Sequence, residues 1–152
     1  MRVEPAEVLQ MSFVSILVAD DFQAWRDFVV SNLQKVPGMR VSGVAYDGLD
    51  AVQKAKELQP DLVLLDLAMP KLNGLEAARQ IAKVAPGTKI LFVSSTPDAD
   101  VVRASFVAGG SGYILKSDAE QDLLAGIEAV LLGKRFVSAR LARFDRPADS
   151  QN

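Results

Sequence analysis

The sequence predicts an α/β fold, a parallel five-stranded sheet sandwiched between two layers of helices. Three observations carry that expectation. Short aliphatic runs recur along the chain, each too brief for a helix and typical of strands buried on both faces. Between them lie stretches whose apolar residues fall on one helical face. Proline, glycine and Asn-Gly or Asp-Gly signals mark nearly every junction. Strands that alternate with helices must run parallel, with right-handed crossovers and helices on both sides.

The elements follow in order. Phe13 to Ala19 is a buried-strand run ending on Asp20-Asp21. Phe22, Trp25, Phe28, Val29 and Leu33 share one helical face, stopped by Pro37-Gly38. Arg40 to Tyr46 mixes polar and apolar residues around Gly43, as an edge strand does. Asp47-Gly48 turns the chain into a helix carrying Leu49, Val52 and Leu58, closed by Pro60. The central strand, Leu62-Val63-Leu64-Leu65, ends on Asp66. Asn73-Gly74 opens a helix with Leu75, Ala78, Ile81 and Ala82 inward, ended by Pro86-Gly87. Lys89 to Ser95 is a fourth strand, and Thr96 followed by Pro97 reads as an N-cap with proline at the first helical position. The weakly amphipathic helix it starts, Asp98 to Ala108, ends at Gly109-Gly110. Gly112 to Leu115 is the fifth strand, leading to Lys116. Ser117 and Glu120 stand at capping-box spacing ahead of a helix through Leu123, Leu124, Ile127, Val130 and Leu131, with Gly133 as its stop. The pattern then dissolves, so residues 134–152 read as a tail and residues 1–11 as an N-terminal extension.

Composition narrows the chemistry. The 152 residues suit one domain, and a net charge of -2 gives no general pull toward nucleic acid or anionic lipid. With no cysteine and no histidine, thiolate sites, imidazole ligands and a histidine base are all excluded. Any metal must be a hard one held by oxygen. No apolar run reaches the roughly 18–20 residues of a membrane span, and the first ten residues lack a secretory pattern; the expectation is a cytoplasmic protein.

The polar residues at the strand ends form a set. Asp20 and Asp21 follow the first strand, Asp66 the third, Ser94 the fourth and Lys116 the fifth. In a parallel sheet all lie on the carboxyl edge, where open α/β sheets bind ligands. Each alone has an ordinary explanation as a cap, a turn former or a solvated charge. Together they make a chemistry. Three close carboxylates repel and are driven toward protonation unless a cation sits among them. Magnesium suits such a site, since it is hard and keeps waters for an incoming phosphate. A carboxylate can attack phosphorus to give an acyl phosphate, and Lys116 and the Ser94 hydroxyl supply charge and a donor for the moving group.

Asp20-Asp21, Asp66 with Met69-Pro70 and Gly74, Ser94, and Gly112-Tyr113-Ile114-Leu115-Lys116 together resemble the receiver domain of two-component response regulators. The likeness covers about residues 12–133. It implies a flavodoxin-like (βα)5 fold with strand order 2-1-3-4-5. It further implies that Asp66 accepts a phosphoryl group from a sensor histidine kinase. Asp21 and Asp66 would bind Mg2+ directly, Asp20 mainly through water, and the Ala68 backbone carbonyl would complete the protein's share. Lys116 would hold a phosphate oxygen and Ser94 would swing toward the phosphoryl group. Tyr113 would move inward with Ser94 and relay the change to the face formed by the fourth helix, fifth strand and fifth helix, through which a homodimer can form.

The segments 37–48 and 131–138 are similar to receivers of LuxR-like transcriptional regulators, so the chain is expected to be a single-domain receiver or the receiver part of such a regulator. Two departures stand out. Ser117 replaces the proline common in the family, so no cis peptide is expected after Lys116. Ala68, two residues after Asp66, leaves the lifetime of a phosphorylated state open. The basic residues Lys134, Arg135, Arg140, Arg143 and Arg146 are read as a solvated tail, with no DNA contact by this chain. Gly109-Gly110-Ser111-Gly112 lacks the Lys-Ser/Thr of a phosphate loop. Two rivals remain: a pseudo-receiver serving as an interaction module, and a haloacid-dehalogenase-like phosphohydrolase, against which stands the lack of a second acid two residues after Asp66.

Overall fold

The structure, a computed structural model, describes residues 13–145; the N-terminal extension assigned to residues 1–11 and the end of the tail, 146–152, lie outside the described residues. Strands β1 (Val14–Ala19), β2 (Met39–Ala45), β3 (Leu62–Leu65), β4 (Lys89–Ser94), β5 (Gly112–Leu115) and β6 (Phe136–Val137) form one sheet, ordered β2-β1-β3-β4-β5-β6. Every pairing is parallel. Helices α1 (Gln23–Gln34), α2 (Gly48–Leu58), α3 (Gly74–Val84), α4 (Ala99–Val107) and α5 (Ala119–Leu131) make the outer layers, with 3₁₀ segments at Lys116–Asp118 and Ala139–Asp145. The expected order 2-1-3-4-5 holds, with one strand added beyond β5.

Period-two alternation along the strands feeds two separate cores. Leu17, Val63, Leu65, Phe92 and Tyr113 point to the side of α2, α3 and α4, where Ala51, Ala55, Ala78, Ile81 and Val102 meet them. Ile16, Val18, Leu64, Leu91 and Ile114 point to the side of α1 and α5, against Val29, Leu33, Leu123, Ile127 and Val130. The edge strand β2 carries a one-residue slip against β1 between Ile16 and Leu17, as bulges at sheet edges do.

Several local expectations are corrected. The inner face of α2 is Gly48, Ala51 and Ala55, while Leu49 and Leu58 are 53% and 42% exposed. The buried face of this helix is thus made of small residues, and Gly48 at its start lies against the Leu72 backbone. In α3, Ala77 takes the inward place expected of Ala82, which is exposed. Thr96 does not cap α4: the Asp98 carboxylate accepts from the Asp100 and Val101 amides, and the helix begins after it. The capping box at Ser117 and Glu120 is replaced by the 3₁₀ turn Lys116–Asp118, and α5 starts at Ala119 without a side-chain cap. Asp47 and Asn73, by contrast, cap α2 and α3 through the Asp50 and Glu76 amides. No cis peptide occurs among the described residues.

The tail reading needs the largest revision. Residues 136–137 pair with β5, Ser138 is fully buried, and Leu141 is 2% exposed in the same core as Tyr113. Burying a leucine side chain contributes about 2 kcal/mol, which anchors a strand too short to hold by backbone pairing alone. Two of the tail's cations are engaged: Arg140 pairs with Asp118 at 2.8 Å, and the Arg135 guanidinium stacks 3.6 Å from the Phe106 ring centroid.

Candidate functional site: an acidic pocket at the carboxyl edge

Asp20, Asp21, Asp66 and Lys116 converge. Because β1 and β3 are adjacent and in register, Ala19 lies beside Leu65, and the acids that follow them emerge side by side. Asp20, Asp21 and Asp66 each offer an oxygen, and the three oxygens lie within 4.8 Å of one another. Asp20 is 1% exposed and Asp66 7%, whereas Asp21 is exposed to solvent at the rim. Asp66 Oδ1 accepts from the Leu67 amide at 2.8 Å, and Asp20 Oδ1 accepts from the Phe22 amide at 2.9 Å. Both carboxylates are thereby fixed in orientation.

Lys116 reaches in from the end of β5. Its Nζ stands 2.7 Å from Asp20 Oδ2 and 3.5 Å from Asp66 Oδ2. The nearer contact is one of charge and not an aligned hydrogen bond, for Asp20 Oδ2 is buried and accepts none. Burial pushes the Asp66 carboxyl up to about 6, the Asp20 charge adds to that, and Lys116 pulls the other way. Lysine alone therefore leaves the pocket short of positive charge. Three converging carboxylates, of which Asp20 keeps a buried oxygen without a hydrogen bond, fit a hard divalent cation such as Mg2+.

The hydroxyl partners sit alongside. Ser94 is buried at the end of β4 and its Oγ accepts from the Thr96 amide at 3.1 Å. Tyr113 is fully buried, and its hydroxyl donates to the Thr96 carbonyl at 2.6 Å. Ala68 is exposed in the loop after β3, where Leu67, Ala68, Asn73, Leu75, Thr96 and Val101 line a shallow cleft of about 210 Å³.

Two glycines make the loop geometry possible. A Cβ on Gly74 would stand 2.1 Å from the Asp66 carbonyl oxygen, because the Gly74 amide bonds the Leu67 carbonyl at 2.7 Å and draws α3 against the site. A Cβ on Gly48 would stand 1.8 Å from the Leu72 carbonyl oxygen. The second was not singled out from sequence, where it reads only as a turn residue. Nor were Trp25 and Arg26. The Trp25 ring centroid is 5.1 Å from Lys116 Nζ, and Arg26 Nη1 donates to the Asp20 carbonyl at 2.7 Å. The spacing of Trp25 makes it a core-facing residue of α1 and carries no hint of a cation partner.

A doubly wound parallel sheet with an acid-and-lysine pocket at its carboxyl edge defines a class: α/β domains with a cation-ready acidic pocket. Residues 16–128 match the model of the response regulator receiver domain, and the chain belongs to that family, a receiver of two-component signalling. It is 32% identical over 130 residues to the response regulator GacA of Pseudomonas viridiflava, and 31% to UvrY of Escherichia coli K12. These alignments cover 86% of the chain but only 61% and 60% of those relatives' lengths. Among solved structures, a LuxR-family two-component response regulator from Aurantimonas sp. SI85-9A1 superposes with a TM-score of 0.82 at 31% identity, covering 86% of this chain and 94% of that one. No helix among the described residues is long and apolar enough to cross a membrane.

Proposed function

We propose that the chain is a phosphorylation-controlled switch that accepts a phosphoryl group on Asp66 from a sensor histidine kinase in a Mg2+-dependent reaction. The observation that carries this reading is the pocket: three convergent carboxylates with one lysine, in which Asp20 Oδ2 is buried without a hydrogen bond. Asp21, Asp66 and the Ala68 carbonyl would hold the cation, with Asp20 acting through water. Bound there, Mg2+ would neutralise charge on the transferring phosphoryl oxygens.

The chain's own residues do the rest. An Asp66 carboxylate oxygen attacks phosphorus in line; the O–P bond forms as the P–N bond to the donor imidazole breaks, and the imidazole leaves with a proton. Lys116 stabilises the phosphoryl oxygens and Ser94 donates its hydroxyl to one of them. Hydrolysis of the acyl phosphate returns the carboxylate, so the chain is the substrate of its own chemistry. On this reading the chain is cytoplasmic and is either the receiver part of a LuxR-like transcriptional regulator or a single-domain receiver. Intact mass after treatment with acetyl phosphate tests it: a gain of one phosphoryl group with Mg2+ and none with chelator is expected. No gain with Mg2+, together with no binding of beryllofluoride, would leave the pseudo-receiver as the better reading. The reading extends to a homodimer through the face of α4, β5 and α5. Sedimentation is expected to show more dimer with beryllofluoride than without, and a monomer in both conditions would remove this extension.

A further inference from the structure

The segment after α5 is wired into the pocket by hydrogen bonds. Start at Ser94, whose Oγ accepts from the Thr96 amide at 3.1 Å. The Thr96 carbonyl accepts from the Tyr113 hydroxyl at 2.6 Å. The Tyr113 carbonyl in turn accepts from the Ser138 amide at 3.1 Å. Ser138 Oγ then accepts from the Leu115 amide at 3.0 Å, and the next residue is Lys116, between Asp20 and Asp66. The circuit thus leaves the site through one pocket hydroxyl and returns to it through the pocket lysine. Its outermost member is a fully buried serine that lies beyond the matched residues 16–128.

The rest of the segment holds that serine in place. Phe136 and Val137 pair with Gly112 and Tyr113, and they pack into opposite cores of the sheet. Leu141, whose amide bonds the Ser138 carbonyl at 2.8 Å, is buried in the core that contains Tyr113 and Leu115. Arg140 fastens the far end to Asp118 in the turn after Lys116. The 3₁₀ segment lies against α4, so residues 136–141 sit on the α4–β5–α5 face.

We propose that residues 136–141 form a strap that is part of the switch, with Ser138 as a positioning residue that sets Lys116 and Tyr113 from outside the pocket. The inference rests on the phosphoacceptor reading above. A docked strap satisfies the Leu115 amide and the Tyr113 carbonyl, fixing the backbone on which the pocket lysine is carried. A pre-positioned lysine loses less freedom when a phosphoryl group arrives. Strap docking and phosphoryl binding therefore favour each other, and linkage makes the effect reciprocal. The strap is also what any partner of the α4–β5–α5 face meets first.

The test uses the full chain with beryllofluoride and Mg2+ as the phosphoryl mimic. Exchange of the Leu115 and Ser138 amides is expected to slow by about fivefold or more when the mimic binds. In the other direction, Ser138→Ala is expected to weaken the mimic's apparent affinity by about fivefold. Trp25, the chain's one tryptophan and a neighbour of Lys116, reports that affinity by its fluorescence. If Ser138→Ala does not fold, the exchange measurement on the parent chain decides alone. If the mimic binds the parent but both amides exchange as before, or if the folded variant binds it equally well, the strap is structural only and the phosphoacceptor reading stands. If the mimic does not bind the parent at all, the strap proposal falls; if acetyl phosphate adds no phosphoryl group either, the phosphoacceptor reading falls with it.

Discussion

Asp66→Asn is expected to take up no stable phosphoryl group from acetyl phosphate, and to unfold less readily than the parent chain above pH 6 in metal-free buffer. The first effect follows from removing the proposed nucleophile: a carboxamide oxygen forms no stable acyl phosphate. The second comes from the pocket's charge. In the folded chain the Asp66 carboxyl is raised from 3.8 to about 6, by burial first and by Asp20 second. Between those two values the folded chain binds more protons at this position than the unfolded chain does. Stability therefore falls as pH rises through that window, and the penalty is complete above about pH 6. At about 1.4 kcal/mol per pKa unit the penalty is at most about 3 kcal/mol.

Asparagine keeps the shape and the acceptor for the Leu67 amide, but carries no charge. We expect it to stabilise the metal-free fold by about 2 kcal/mol at pH 7.5, measured by urea denaturation. The parent should lose stability from pH 4 to pH 7, and the variant should lose less. Adding Mg2+ should raise the parent's midpoint more than the variant's, since the ion offsets a repulsion the variant lacks. Undiminished phosphoryl uptake in the variant would remove Asp66 from its role. Parallel pH profiles would show that the pocket's charge is not what limits stability.

The residues of this pocket were legible because each follows a strand, and strands are the strongest signal in this chain. Aliphatic runs located β1, β3, β4 and β5, and parallel topology alone then gathered Asp20, Asp66, Ser94 and Lys116 on one edge. What a single sequence hides depends on contacts between distant segments. Phe136 and Val137 are too few to show a period, and they stand behind two basic residues; only Leu141, the Ser138 hydroxyl and the exposed edge of β5 make them a strand. Thr96-Pro97 and Asp98 are equally good starts for α4 on local grounds, and in the fold it is the Asp98 carboxylate that takes the cap. In α2 a ranking by hydrophobicity selects Leu49 and Leu58. The fold instead buries Ala51 and Ala55 against residues distant in the chain, Leu17 and Ile81 among them, and a single sequence does not contain those contacts.

Lys116→Ala should move stability in the opposite direction to Asp66→Asn, and the comparison isolates the charge balance of the pocket. Removing the ammonium leaves Asp20, 1% exposed, and Asp66 facing each other with no cation between them. Losing one partner of a buried ion pair costs about 3 kcal/mol or more, so a metal-free Lys116→Ala chain should be markedly less stable at pH 7.5. Mg2+ can restore much of this, because it supplies positive charge to the same carboxylates. It should not restore phosphoryl uptake, which we expect to fall about 100-fold for want of a charge placed on the transferring oxygens. Stability and labelling therefore separate in this one variant. The double variant with Asp66→Asn adds a further constraint. If Lys116 acts chiefly by balancing Asp20 and Asp66, its loss costs less once Asp66 is neutral, and the two changes are not additive. Additive effects would show that Lys116 does not balance the charge of Asp66, and full labelling in Lys116→Ala would place the lysine outside the chemistry.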